Sequence, residues 1–500
     1  MNEQFRVAHK LGLMFLHDTP PPEDVKAWAI SQLHAKSPAL GIKKIKLYPK
    51  AKVQEWPKSL QPNLEKRTKM TWTYRLNDQK RRRGIEDQDT ESAKQLNRKK
   101  NIMRVKDETK FAHRNVYGED QLKLRFTSFW TNHFTIGNTF DNVNDIGHAI
   151  DEGILANLNG DFSHMLYKIT SHPGMLIYLD NIYSAGPNSQ KVKWAKQNGE
   201  QAGLNDNLGR ELLELHTVSP AAKYTETDIR NSAKVLAGWG VWPGLQNADA
   251  DANKLETREE TLNEYIRKAG TTNTWDFFKK YHAEPGNKTV LGKTIYPGKG
   301  GLKQLTDFLA SHENTINFIS FKLAEHFVSD NPTKSDIDYI ANAWRQSNGN
   351  LDQIHTAVIE RAISSKAPKF QWPMTWLFQV IRLSDAAFFK GWDQLDDYDQ
   401  KLMHVREIFE ELGQSFWHER QPNGYPSAKS EWLSGEMFER RIRFADAIYT
   451  AGYPSFTPQE IMDRIGANEA TQELVNSIKG RKKQFIALMC SPELMGLENA

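Results

Sequence analysis

The residues with the clearest chemical potential lie in NDNLGRELLELHT, positions 205–217. On a helix advancing about 100° per residue, Asn207, Glu211 and Glu214 form one stripe with Arg210 beside it. Leu208, Leu212 and Leu215 crowd the same segment, with His216 close behind. A carboxylate buried in such company must be paired, protonated or bound to a cation. One outcome is internal pairing, with Arg210 taking one carboxylate. The other is a carboxylate pair that binds a divalent metal or does acid–base work. Glu211, Glu214, Arg210 and His216 are therefore the candidate catalytic residues. Glu211, Glu214 and His133 are the candidate ligand set for a divalent metal. Glu214-Leu215-His216 does not have the Glu-x-x-His spacing of di-iron bundles, which disfavours that cofactor.

Further polar residues are set into apolar helical stripes. His133 of WTNHF shares a face with Phe126, Phe129 and Trp130. A histidine so placed is a core residue with a satisfied ring nitrogen, or a ligand or acid–base group. His172 precedes Pro173 as a helix cap, and Asp180 and Asn181 close that helix. Asp180 opposes the helix dipole there and calls for a specific partner. Thr225 with Asp228 reads as a capping box after Tyr224. Trp239 stands between two glycines, as core or as a cleft wall. Trp130, His133, His172, Asp180, Asn207, Tyr224 and Trp239 make up the candidate binding set. There is no P-loop, nucleophile elbow, HExxH or EF-hand loop.

The elements that must hold these residues are mostly helices. Phe162, Met165, Leu166 and Ile169 repeat at helical spacing, and Thr457-Pro458-Gln459-Glu460 reads as another helix start. Later helices are expected over 313–328, 335–346, 351–364, 375–389, 399–412, 431–449 and 481–489. Strand signals are few. Ile42, Ile45 and Leu47 suit a short extended piece, and 288–297 suits a hairpin turning at Gly292. Residues 246–274 read as a polar excursion. The fold class is mostly α, a multi-helical orthogonal or bundle-like array with at most a small β-hairpin. Its soft divisions are a basic N-terminal helical region (1–115), a central region carrying the motifs (116–330) and a C-terminal helical region (331–500). A single continuous domain is the other option.

Composition bounds the rest. The chain has 500 residues, 39% hydrophobic, which excludes a mostly disordered protein. No apolar run approaches the roughly 18 residues a membrane span needs. As written the chain shows no export signal, because LGLMFL is too short and no cleavage site follows. A cytoplasmic location is expected as written, and a periplasmic or extracellular one if a leader precedes it. The lone Cys490 excludes an intramolecular disulfide and reads as a buried structural thiol. Residues 42–114 hold 22 Lys and Arg against 9 Asp and Glu, a charge of +13 in a chain whose total is +4. Lys80 to Arg83 and Arg98 to Lys100 are the sharpest runs. Without a nucleic-acid-binding motif, a solvated helical face ranks ahead of nucleic-acid or other anion binding.

In this order, WTNHF, HPGMLIYLDN, NDNLGRELLELHTV, YTETDI and AGW resemble the bacterial domain-of-unknown-function family 1800. HAEPGNKTVLG, FISFKLAEHFVSDNP and PNGYPSAKSEWLSGEMFERR extend the resemblance over most of the chain. Against the family pattern, Asp206 replaces Glu, Gly209 replaces Ala, Ser219-Pro220 replaces Gly-Val, and His312 is followed by Glu313 instead of Pro. The opening HKLGLMF is a loose match, and the export signal common in the family is not seen. Gly209 would open space beside the Glu211 stripe or loosen its helix. The resemblance implies a mostly helical fold and brings no reaction. It also implies a partner of the sulfatase-like family 1501 type. The leading function is a metal-binding or hydrolase-like enzyme with a buried Glu/Arg/His site. The alternative is a non-catalytic accessory or scaffold protein working with that partner.

Overall fold

Helix-capping residues and apolar stripes recur along the chain, and helices form where they do. The computed structural model describes residues 1–16, 19–43, 53–68, 70–71, 78, 90–139, 142–241, 275, 277–387, 390–395, 404–415, 417–419 and 421–497, with backbone alone at 90–100. Ile45, Leu47, the Lys80–Arg83 run and the stretch 246–274 lie outside these residues, as do the side chains of Arg98 to Lys100.

The described chain is mostly α. The first helices are α1 (Glu3–Leu11), α2 (Val25–His34), α3 (Thr90–Tyr117), α4 (Gln121–His133), α5 (Phe162–Thr170), α6 (Pro173–Tyr178) and α7 (Gln190–Gln197). Next come α8 (Asn207–Glu214), α9 (Glu226–Leu236), α10 (Gly300–Ala310), α11 (Glu313–Phe327), α12 (Lys334–Ser347) and α13 (Leu351–Ser364). The last are α14 (Pro373–Ser384), α15 (Val405–Leu412), α16 (Gly435–Gly452), α17 (Pro458–Ile465), α18 (Glu469–Ser477) and α19 (Arg481–Met489). The expected capping boxes are formed: Thr225 with Asp228 opens α9, and Thr457 with Glu460 opens α17. The helix expected over 375–389 stops at Ser384, where Asp385 turns left-handed (φ 56°).

Among the described residues the strands form two antiparallel pairs. β1 (Leu40–Ile42) pairs with β2 (Val53–Glu55), and β3 (Lys288–Val290) with β4 (Lys293–Ile295). Leu291 and Gly292 turn the second hairpin with φ of 47° and 79°, as a two-residue hairpin turn with both φ positive requires.

One contiguous apolar core takes side chains from Phe5 to Met495. The Phe126, Phe129 and Trp130 stripe of α4 lies inside it, as do Phe162, Met165, Leu166 and Ile169 of α5. The chain ends meet in this core: Asn2 N–H donates to Ile465 O (2.8 Å), and Arg464 reaches Leu16 O (2.6 Å). Buried Arg382 ties distant segments together by donating to the carbonyls of Met14, Asn115, Val116 and Gly118. The basic N-terminal excess is partly spent inside the protein. Arg67 forks onto Asp107 (2.5 and 3.0 Å), Arg114 meets Asp151 (3.1 Å), and Lys110 also binds Asp151. Cys490 is buried, and burial pushes its thiol up to about 12, so it is inert. Among the described residues no helix is long and apolar enough to cross a membrane.

Candidate functional site

The sequence-predicted residues divide among four places. The first is the end of α4. His133 Nε2 lies 3.2 Å from His216 O, and Lys322 Nζ on α11 lies 3.1 Å from His133 Nδ1. Lysine can only donate, so Nδ1 accepts and Nε2 carries the proton; the bonding partners assign this tautomer. Burial first, then the Lys322 charge, holds His133 well below its ordinary value. Burial pulls Lys322 itself down to about 8. His216 follows the end of α8, and both its ring nitrogens are buried without a partner among the described residues. Burial and then Lys322 take it down to about 3. Trp130 pins this group to the core by donating from Nε1 to His355 Nε2 (3.0 Å).

The second place is the outer face of α8. Asn207, Glu211 and Glu214 do share a face, but it is exposed to half-exposed, because Leu208, Gly209, Leu212 and Leu213 take the buried side. The pairing expected within the stripe is not made. Arg210 instead reaches Glu226 (3.3 Å) and Asp206 (3.5 Å), while Glu214 accepts from the Tyr224 hydroxyl (3.0 Å). Burial and then Glu214 raise the Glu211 carboxyl, and it has no hydrogen-bond partner among the described residues. Gly209 opens no space beside this stripe. A Cβ there would stand 2.7 Å from Ala233 N and 2.9 Å from Ala233 Cα, so the glycine is what lets α8 and α9 close together. His133 is committed to Lys322 and His216, Glu214 to Tyr224. Among the described residues no group of three or more His, Cys, Asp or Glu side chains has the arrangement to hold a metal ion.

Two residues are placed elsewhere again. Trp239 is core, edge-on to Tyr167 and Phe278. Asp180 is exposed and has no specific partner among the described residues. It takes a left-handed turn (φ 57°) that aspartate tolerates, and Asn181 beside it ties to Leu236 O and Trp239 O.

The fourth place is the one the sequence marked with His172. His172 is the N-cap of α6, and its Nδ1 accepts from Gly174 N–H (3.0 Å). The proton on Nε2 is therefore donated to His148 Nδ1, 3.1 Å away. That leaves His148 protonated at Nε2. Burial pulls His148 down to about 4, so it is neutral at pH 7. It borders a polar cleft with room for about 570 Å³ of water-sized centres. Directly after it, Ala149–Ile154 winds as a π-helical turn, a form that recurs at functional sites. Asp151 and Glu152 of this turn line the cleft with Arg67, Lys110, Lys168 and Trp275. The Trp275 ring meets His172 edge-on (4.6 Å), and Lys168 Nζ lies 4.0 Å from its centroid. Burial disfavours the charge on Asp151, but Lys110 and Arg114 outweigh it and hold the carboxyl at about 2. Buried Asp145, whose Cβ approaches the start of α6, is pushed up to about 7.

His148, Asp151, Glu152 and Lys322 were not singled out from the sequence. A signal for the first three was present: His148-Ala-Ile-Asp151-Glu152 puts one base and two acids within a single turn. Lys322 gave none, because it meets His133 across 189 positions.

Comparison with curated proteins and with solved structures returns no match. The family model described as "Protein of unknown function (DUF1800)" matches residues 22–493. That span takes in the WTNHF, HPGMLIYLDN and RELLELHT segments that build the His133 network and the His172–His148 pair, and the chain belongs to this family.

Proposed function

We propose that the protein is a hydrolase-like enzyme whose reaction takes place in the polar cleft beside His148. The observation that carries this reading is the hydrogen-bond chain from Gly174 N–H through His172 to His148. It fixes the tautomer of a neutral histidine so that Nε2–H is the group left for a substrate. A neutral imidazole donor suits a substrate oxygen that gains negative charge, as in acyl or phosphoryl transfer. Lys168 has no ion pair among the described residues and adds positive charge at the same wall. Glu152 is an exposed carboxylate four residues after His148 and supplies a base for water. Asp151 is held between Lys110 and Arg114 and serves to position the turn.

The test is a panel of chromogenic carboxylic, phosphate and sulfate esters offered to wild type, His148→Gln and His172→Gln. Circular dichroism checks that each variant is folded. His148→Gln is expected to lose about 100-fold or more in kcat, since it removes a donor aimed at developing charge. A wild type inert on every ester, or a His148→Gln variant that turns over like wild type, overturns the reading. It would leave the accessory role beside a family 1501-type partner as the better account.

A part for Glu211 in acid–base or metal chemistry rests on its carboxyl having no hydrogen-bond partner among the described residues. Elemental analysis of wild type and Glu211→Gln/Glu214→Gln tests it. A near-stoichiometric metal lost in the folded variant supports it, and no metal in either removes the metal-binding role.

A further inference from the structure

The π-helical turn has a second face. Asp151 and Glu152 look onto the polar cleft, while Ala149, Ile150 and Ile154 line a separate, narrow cavity. Its wall is largely apolar and aromatic, with Phe111, Trp372 and Trp417 among the lining side chains. Its polar lining includes Arg125 and His326, each 3% exposed.

Among the described residues, buried Arg125 and Arg441 each make a single hydrogen bond and have no carboxylate partner, and of the two Arg125 lines this cavity. Arg67 has Asp107, and Arg382 has four carbonyls. Among the described residues Arg125 hydrogen-bonds only the Thr375 hydroxyl, and its Nε has no partner. Phe327 adds a weak contact 5.7 Å from the guanidinium carbon. Beside it, His326 Nε2 is also buried and without a partner among the described residues, with its ring edge-on to Trp372 (4.8 Å). Burying a charge without a counterion costs several kcal/mol, and two unpartnered polar atoms at one end of a cavity add to that cost. Burial alone brings Arg125 down to about 9, with no carboxylate offsetting it, so it remains a cation at pH 7. Glu419, at the half-buried end of the same cavity, is pushed up to about 7 by burial and does not act on Arg125.

We propose that this cavity is a binding site for a small organic monocarboxylate, its charge on Arg125 and His326 and its apolar body against Ile150 and Trp372. One guanidinium calls for a single negative charge, and the apolar wall calls for a hydrocarbon end. The space, about 50 Å³ for water-sized centres, holds roughly three to five waters, which sets the scale at a short-chain acid. This site is independent of the esterase-type reading of the cleft.

The experiment is isothermal titration of the full chain with butyrate, with the isosteric neutral butyramide and with inorganic phosphate. Butyrate is expected to bind in the millimolar range or tighter and to raise the unfolding temperature, and butyramide to bind about 10- to 100-fold more weakly, the ratio for losing one charged hydrogen-bonded contact. Arg125→Met is expected to abolish the preference. Should that variant fail to fold, Ala149→Leu keeps the arginine and fills the cavity, and it is expected to abolish butyrate binding. No butyrate binding by wild type, equal binding of butyramide, phosphate matching butyrate, or full binding by folded Ala149→Leu each overturns the proposal.

Discussion

Lowering the pH from 7 to 4.5 is expected to remove most of the stability of this fold. Among the described residues seven histidines are buried: His9, His113, His133, His172, His216, His326 and His355. Burial holds every one below its ordinary value of 6.5, at about 4 for His9, about 3 for His113, His216 and His355, and well below for the rest. Each is neutral in the native state and binds a proton below pH 6.5 once unfolded. The unfolded state therefore gains protons first, and stability falls as pH drops through that window. One such group loses about 1.3 kcal/mol between pH 7 and pH 5.5, so the seven lose about 9 kcal/mol. Three of the described acids work the other way. Burial raises Glu108 to about 8 and Asp145 and Glu419 to about 7, so the native state holds protons that the unfolded chain releases until about pH 4.5. They return about 5 kcal/mol over the same interval. From these ten groups the net loss is about 4 kcal/mol at pH 5.5 and about 9 kcal/mol at pH 4.5, against a typical total of about 5–15 kcal/mol. Urea unfolding followed by tryptophan fluorescence at pH 7.5, 6.5, 5.5 and 4.5 measures this. A midpoint that stays constant or rises toward pH 4.5 would refute the assignment of neutral buried histidines.

Three further expectations follow from packing and charge. Gly209→Ala forces a methyl to within 3 Å of the Ala233 backbone; the strain, less the helix-propensity gain of alanine, should destabilise by about 1–2 kcal/mol in urea. An unchanged or raised midpoint would show that α8 and α9 can part freely. Arg382→Met keeps the apolar stem and strips the donor from four carbonyls, at an expected cost of about 3–5 kcal/mol in the same assay. Lys322→Met takes the donor away from His133 Nδ1, so the His133 ring nitrogen resonances should shift by NMR at pH 7; unmoved resonances would place the lysine elsewhere.

What was legible in the sequence was local. Thr225 with Asp228, Thr457 with Glu460, and His172 with Pro173 announce helix starts because each signal and its effect lie within one turn. Gly292 announces its hairpin for the same reason. Periodicity also grouped Asn207, Glu211 and Glu214 correctly, but it could not say which side of α8 would be buried. That was decided by Gly209 meeting Ala233 on another helix. The pairs that give the histidines their character were out of reach. Lys322 meets His133, and His172 meets His148, through tertiary contacts with no spacing rule behind them. Arg125 reads from the sequence as one more helix cation and shows its isolation only in the packed core.

The π-helical turn is in effect an α-helical turn with one residue too many. Its register decides which of its side chains meet the polar cleft and which meet the apolar cavity. Deleting a single residue between Ala149 and Ile154 would let ordinary helix form. It would also rotate everything beyond the deletion by about a quarter turn, exchanging carboxylates for methyls across the partition. The fold could survive that deletion while both chambers lose their lining at once. In evolutionary terms, the two chambers are free to drift by substitution but are locked together against changes in length.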